Sequence, residues 1–139
     1  MVDPRGPRFA AAVTTVVLAV TIITGNPWLL LAQTVVFLVG AVAGIRNAPY
    51  GLVFRHLVRP RLGPPADLED EAPPRFAQAV GAVFGVLGTV GLLAGPAALG
   101  YSAAALAFAA AFLNAAFGFC LGCQIYLVLR SATVKGART

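Results

Sequence analysis

All ten Lys and Arg residues of this 139-residue chain lie outside four long apolar runs, and they gather at alternate ends of those runs. The runs cover residues 9–24, 28–45, 76–95 and 101–129. Arg5 and Arg8 precede the first; Arg46, Arg55, Arg59, Arg61 and Arg75 lie between the second and third; Arg130, Lys135 and Arg138 follow the fourth. The other two junctions, Gly25-Asn26-Pro27 and Gly95-Pro96 through Gly100, carry no charge and read as turns. Residues are 59% hydrophobic and 11% charged, against roughly 45–50% and 25% in ordinary soluble domains. The expected fold is an all-α integral membrane protein with four transmembrane helices in two hairpins.

A span needs about 17–25 mostly apolar residues. The middle two runs fit, the first is short, and the last is too long, so the fourth span is expected at about 101–122. With four spans every basic segment falls on one side, which the positive-inside rule assigns to the cytoplasm. Both termini and the loop 46–75 are then cytoplasmic. Arg5 and Arg8 before an apolar run also resemble the start of a signal peptide, but no small-x-small cleavage pattern follows, and TIITGNPW leads directly into the next run. The net charge of +5 lacks the Lys/Arg stripe with interleaved aromatics that nucleic acid would require. Lipid headgroups are the better match.

PRFAAAV, from Pro7, recurs as PRFAQAV, from Pro74, each time at the start of an odd-numbered run. Such a repeat of one helix hairpin would be parallel, not inverted. Within the central loop, YGLVFRHLVRPRL mixes Leu52, Phe54, Leu57 and Val58 with Arg55, His56, Arg59 and Arg61, the pattern of a short interfacial helix. GPPADLEDEAPP holds four of the five acidic residues between prolines and is expected to be an extended, solvated linker. His56 is the lone histidine and has no companions that would complete a metal site.

Gly40/Gly44, Gly81/Gly85 and Gly118/Gly122 are GxxxG pairs, with Gly88, Gly91 and Gly95 extending the second. Small-residue stripes of this kind let helices approach closely in lipid. Gln33, Gln78 and Asn114 are suited to hydrogen bonds between helices, while Thr14, Thr15, Thr21, Thr34 and Thr89 can bond their own helix carbonyls. None of these is ionisable, and no carboxylate or basic group falls within a run, which argues against an ion-coupled transporter.

The two cysteines, Cys120 and Cys123, stand in FGFCLGC near the end of the last run. On one helix, positions i and i+3 share a face with Cα atoms about 5 Å apart, inside the roughly 4.4–6.8 Å that a disulfide requires. A span beginning near Tyr101 brings the pair to the cytoplasmic boundary, where a thiol can be reached and a structural disulfide is disfavoured by the reducing cytosol. Spacing does not decide between a reactive pair and small packing residues, since Ala109, Ala116, Cys120 and Cys123 fall on one side of a helical wheel. Nor does it decide which cysteine attacks, although Cys123 lies nearer the aqueous side.

NAAFGFCLGCQIY, with VDPRGPRFAAAV, NPWLLLAQ and PPRFAQAVG, resembles a bacterial membrane-protein family known as domain of unknown function 4395. The resemblance covers nearly the whole chain, and GFCxGC is its most specific part. It implies a small multi-span protein with a cytoplasm-proximal cysteine pair, here Cys120 and Cys123, and a thioredoxin-like or sulfurtransferase partner. The expected function is thiol–disulfide or sulfane-sulfur exchange with a soluble cytosolic protein, with no cofactor or metal. Quinone-linked disulfide oxidoreductases also join a four-helix bundle to C-x-x-C, but they need a second cysteine pair or a partner to relay electrons, and this sequence has no second pair. Two alternatives stand beside this: an accessory subunit whose glycine faces pack in a homo-oligomer or larger membrane complex, and a carrier for a small sulfur species.

Overall fold

The computed structural model describes residues 2–64 and 68–138, with side chains through Thr133. Among the described residues the chain is almost entirely helical. Helix α1 (Arg5–Thr24) ends where Gly25 turns left-handed at φ 65°. Helix α2 (Pro27–Ala43) starts on the Asn26 side chain, which accepts from the N–H groups of Trp28 and Leu29, with Pro27 opening the first turn. After Gly44, a 3-10 turn (Ile45–Asn47) leads into α3 (Pro49–Val53), a π-helical turn (Phe54–Val58) and α4 (Arg59–Leu62). Helices α5 (Ala72–Leu93), α6 (Ala97–Phe117) and α7 (Leu121–Arg138) complete the fold.

Helices α1, α5 and α6 are long and apolar enough to cross a membrane, and α2 is a shorter apolar helix. Several boundaries differ from those read in the sequence. Helix α5 begins at Ala72 because Pro73 and Pro74 sit in its first turn, where a missing N–H is harmless. Those prolines therefore start a helix instead of closing a linker. The acidic stretch before them is tied down as well: Val2 and Glu69 exchange backbone hydrogen bonds of 2.8 Å in both directions, and Glu71 accepts from the Ile45 N–H at 3.0 Å. Residues 65–67 of that stretch lie outside the described residues. The last apolar run does not form one helix to residue 122, because α6 stops at Phe117.

Each helix of the first hairpin packs more extensively against the second hairpin than against its own partner, α1 on α6 and α2 on α5. The α5 glycines make this close approach: Gly81, Gly85 and Gly88 face Phe37, Thr34 and Leu30 of α2, and Gly91 meets the backbone of Gly100 on α6. Leu18, Leu30, Ala104 and Ala107 form the core. Gln33, 1% exposed, donates to Thr14 and accepts from the Tyr50 hydroxyl, linking α1, α2 and α3. Thr15, Thr21, Thr34 and Thr89 bond carbonyls one turn back, while Thr14 takes Gln33 instead.

The PRFAxAV repeat extends to the structure. Arg8 donates to the carbonyls of Ala115 and Ala116 at the end of α6, and its counterpart Arg75 donates to those of Ala41 and Val42 at the end of α2. Both place a cation on the unpaired carbonyls of a helix C-terminus. Val2 and Glu69 stand equally far before Pro7 and Pro74, so their reciprocal bridge joins equivalent residues, as a local two-fold relation requires. Phe9 packs on Phe54 with ring centroids 5.8 Å apart, and its counterpart Phe76 packs on Tyr126 at 5.7 Å. Helix α7 thus corresponds to the α3–α4 segment. Aligning Phe54 with Tyr126 sets Ala48 opposite Cys120 and Gly51 opposite Cys123.

These contacts also collect the charges. The starts of α1 and α5 and the ends of α2 and α6 meet at one end of the bundle, while Gly25 meets Tyr101 at the other.

Candidate thiol site

The site is built by a helix break. Helix α6 ends where Gly118 adopts φ 67°, a left-handed conformation that costs a residue with a side chain roughly 1–2 kcal/mol. Its N–H returns to the Asn114 carbonyl at 2.9 Å, and the Phe119 N–H to that of Leu113 at 3.3 Å. Arg8 covers the next two carbonyls, so four carbonyls of the terminal turns have partners. The chain then re-enters a helix at Leu121, which leaves Cys120 at the N-cap and Cys123 in the first turn of α7.

Cys120 and Cys123 therefore do not extend the α6 face that carries Ala109 and Ala116. The sequence reading on one continuous helix fails because Gly118 reverses the backbone before the first cysteine. The two cysteines are still brought together, by a different geometry. The Cys123 N–H donates to Cys120 Sγ at 3.3 Å, the bond by which an N-cap side chain satisfies an unpaired helix donor. The Gln124 N–H meets the Cys120 carbonyl at 3.0 Å, which closes the first turn.

Both thiols are free and half-buried. The Cys123 thiol donates to the Cys120 sulfur, and together with the backbone N–H groups of Cys123 and Gly122 it lowers the Cys120 pKa to about 7 against the opposing effect of burial. The same hydrogen bond pushes the Cys123 thiol up, reinforced by burial and by the negative charges of Cys120 and Glu69. The arrangement favours the thiolate on Cys120 and the protonated thiol on Cys123. A helix N-terminus favours such an anion in its own right.

Gly122 holds α7 against α5: a Cβ at this position would lie 2.5 Å from Ala77 Cβ and 2.6 Å from its Cα. Gly118 and Gly122 are thus a helix cap and a packing contact, and not a continuous stripe. Among the described residues no cluster of three His, Cys, Asp or Glu side chains is placed to hold a metal. The sequence contained a signal for the break, a glycine followed two residues later by a residue able to cap, but an unbroken apolar run masks a helix end.

The family model for the domain of unknown function DUF4395 matches residues 2–131. The chain belongs to that family. The match takes in both halves of the DUF4395 chain, the helix break and the cysteine pair, and ends within α7. No curated protein and no solved structure matches the chain.

Proposed function

We propose that this DUF4395 protein is a four-span membrane protein whose Cys120 and Cys123 carry out thiol–disulfide exchange with a soluble cytosolic protein of the thioredoxin type. The observation that carries the reading is the position of Cys120 at the N-cap of α7, with a Cys123 N–H 3.3 Å from its sulfur and its pKa near 7. At neutral pH about half of such a thiol is ionised, and the thiolate is the attacking species.

Cys120 thiolate attacks one sulfur of a partner disulfide, the partner S–S bond breaks, and the other partner sulfur leaves as a thiolate as the mixed disulfide forms. The Cys123 thiol gives its proton to that thiolate and attacks Cys120 Sγ. The intramolecular S–S bond forms and the second partner thiolate is released, so two electrons have moved from the pair to the partner. The reverse sequence with a reduced dithiol restores the starting state. Cys120 is the attacking residue and Cys123 the resolving one. Sulfane-sulfur transfer would begin at the same thiolate, with a persulfide in place of the mixed disulfide.

The membrane arrangement has independent support. Val16, Val20, Ile23, Val35, Val42, Val83, Val90 and Leu106 face outward from the bundle, as lipid-facing side chains do. Helix α2 has 17 residues, at the lower limit of the roughly 17–25 that span a bilayer. Trp28, 64% exposed, and Tyr101 stand at the uncharged end, where an aromatic belt is expected. The arginine-bearing end would face the cytoplasm of a bacterial inner membrane, with both termini there. The segment α3–α4 would lie along that interface, and the halves would be parallel repeats about an axis near the membrane normal.

The test is trapping. Purified Cys123→Ser protein incubated with an oxidised thioredoxin-type protein should accumulate a mixed disulfide at Cys120, whereas Cys120→Ser should not. Equal trapping by the two variants, or none by either, contradicts the assigned roles.

A further inference from the structure

In the first half, the place that corresponds to the cysteine pair holds a cavity of about 150 Å³, lined by Gly51 and Phe54, the counterparts of Cys123 and Tyr126. Three arginines, Arg46, Arg55 and Arg59, share its wall with one carboxylate, Asp3. That carboxylate is already engaged. The Arg5 guanidinium donates to both of its oxygens, at 2.8–3.3 Å, and the Arg5 backbone N–H donates to Oδ1 at 3.0 Å. Arg59 Nε stands 3.9 Å away. Among the described residues, Arg46 and Arg55 form no ion pair.

The floor is apolar: Val2, Ile45 and Phe54 are 3%, 4% and 4% exposed, so the recess is formed by packed side chains, with the exposed Arg46 and the partly buried Arg55 and Arg59 around it. A recess of about 150 Å³ has room for a tetrahedral oxyanion. Guanidinium groups suit such a group because their planar forks present paired N–H donors to two oxygens. Basic pockets between helices on a cytoplasmic face take phospholipid headgroups by this chemistry.

We propose that the recess lined by Arg46, Arg55 and Arg59 binds a phosphate-class oxyanion, carried either by an anionic phospholipid or by a free anion. The two halves have then diverged in function: where the second half keeps two thiols, the first keeps Ala48 and Gly51 and forms an anion site. The proposal does not depend on the thiol chemistry.

Thermal unfolding of the delipidated protein in maltoside micelles tests it, since this detergent contains no phosphate. Two additions are compared with sodium chloride at matched ionic strength: inorganic phosphate and phosphatidylglycerol. At least one should raise Tm beyond the chloride control, and the increment should fall by half or more in R46Q/R55Q while Arg61→Gln, exposed and outside the recess, leaves it intact. A rise with phosphatidylglycerol alone identifies the headgroup as the source; a rise with inorganic phosphate as well identifies a free anion. If the double variant does not fold, R46K/R55K, which keeps charge but loses the planar forks, should retain only part of the increment. No increment with either addition, or the full increment in the arginine variants, overturns the proposal.

Discussion

Cys120 Sγ accepts a hydrogen bond from the Cys123 backbone N–H at 3.3 Å, so the second cysteine of the pair stabilises the first through both its main chain and its thiol. The consequence is asymmetry. Two residues of identical chemistry, one helical turn apart, are shifted in opposite directions, first because one thiol donates to the other sulfur and second because the accepting sulfur also faces the backbone N–H groups of the helix start.

This asymmetry has a measurable dependence on Cys123. Replacing Cys123 by Ala removes the largest influence lowering the Cys120 pKa and leaves the backbone donors in place. The alkylation midpoint of Cys120 should rise above its value of about 7, and the rate at pH 7 should fall several-fold. Rapid iodoacetamide alkylation across a pH series checks it.

Stability of the reduced protein should depend on pH through the same pair. The folded Cys120 pKa is depressed, so its contribution is lost as pH falls through about 7 and is fully present above the unfolded thiol value near 8.5. The folded Cys123 pKa is raised, so its contribution is present below about 8.5 and is lost above it. Between those limits the unfolded chain holds more protons; above them the folded chain does. Thiol-linked stability should therefore pass through a maximum near pH 8.5 in the wild type, and level off there in Cys123→Ala. Tm measured against pH, corrected with the double alanine variant, tests this.

Gly118→Ala isolates the backbone requirement. An added Cβ would meet only the Arg8 guanidinium, at 3.9 Å, so crowding is minor and the left-handed φ dominates, at about 1–2 kcal/mol. Denaturation should register that loss, and Cys120 labelling should slow as the cap shifts. Gly122→Ala acts by contact, pushing Ala77 and separating α7 from α5; a further change of Ala77 to Gly should recover part of the loss.

The paired arginines offer an internal control. Arg8→Gln and Arg75→Gln remove equivalent bonds to helix ends, each worth up to about 1 kcal/mol at such a terminus. Only Arg8 adjoins the break that carries the cysteines. Arg8→Gln should alter the Cys120 alkylation midpoint, and Arg75→Gln should leave it unchanged.

The broad architecture was legible because membrane helices announce themselves by length and by charge at their ends. The four apolar runs, the Gly25 and Gly95 turns and the α5 glycine face follow from that grammar. The PRFAxAV echo was visible too, but its meaning was not, because Arg8 and Arg75 each cap the other half's helix and sequence gives no cross-half contacts. The geometry at Cys120 was hidden for a different reason. Hydropathy averages over a window wider than a turn, so residues 101–129 read as one segment, and the single left-handed Gly118 that divides them has no hydropathic signature. Pro73 and Pro74 misled in the opposite sense: prolines mark both linkers and helix starts, and the contacts that tie down the preceding residues here, Val2–Glu69 and Glu71–Ile45, are long-range.

The most direct measurement labels the wild-type protein in inside-out membrane vesicles with a membrane-impermeant maleimide, after mild oxidation or reduction and, for the reduced form, across pH 5–9, with modification of Cys120 and Cys123 read separately by peptide mass spectrometry. The account predicts that labelling disappears on oxidation and returns on reduction, and that in the reduced protein Cys120 labels with a lower midpoint than Cys123. Labelling only after detergent denaturation, or identical midpoints for the two cysteines, would contradict an accessible pair led by Cys120.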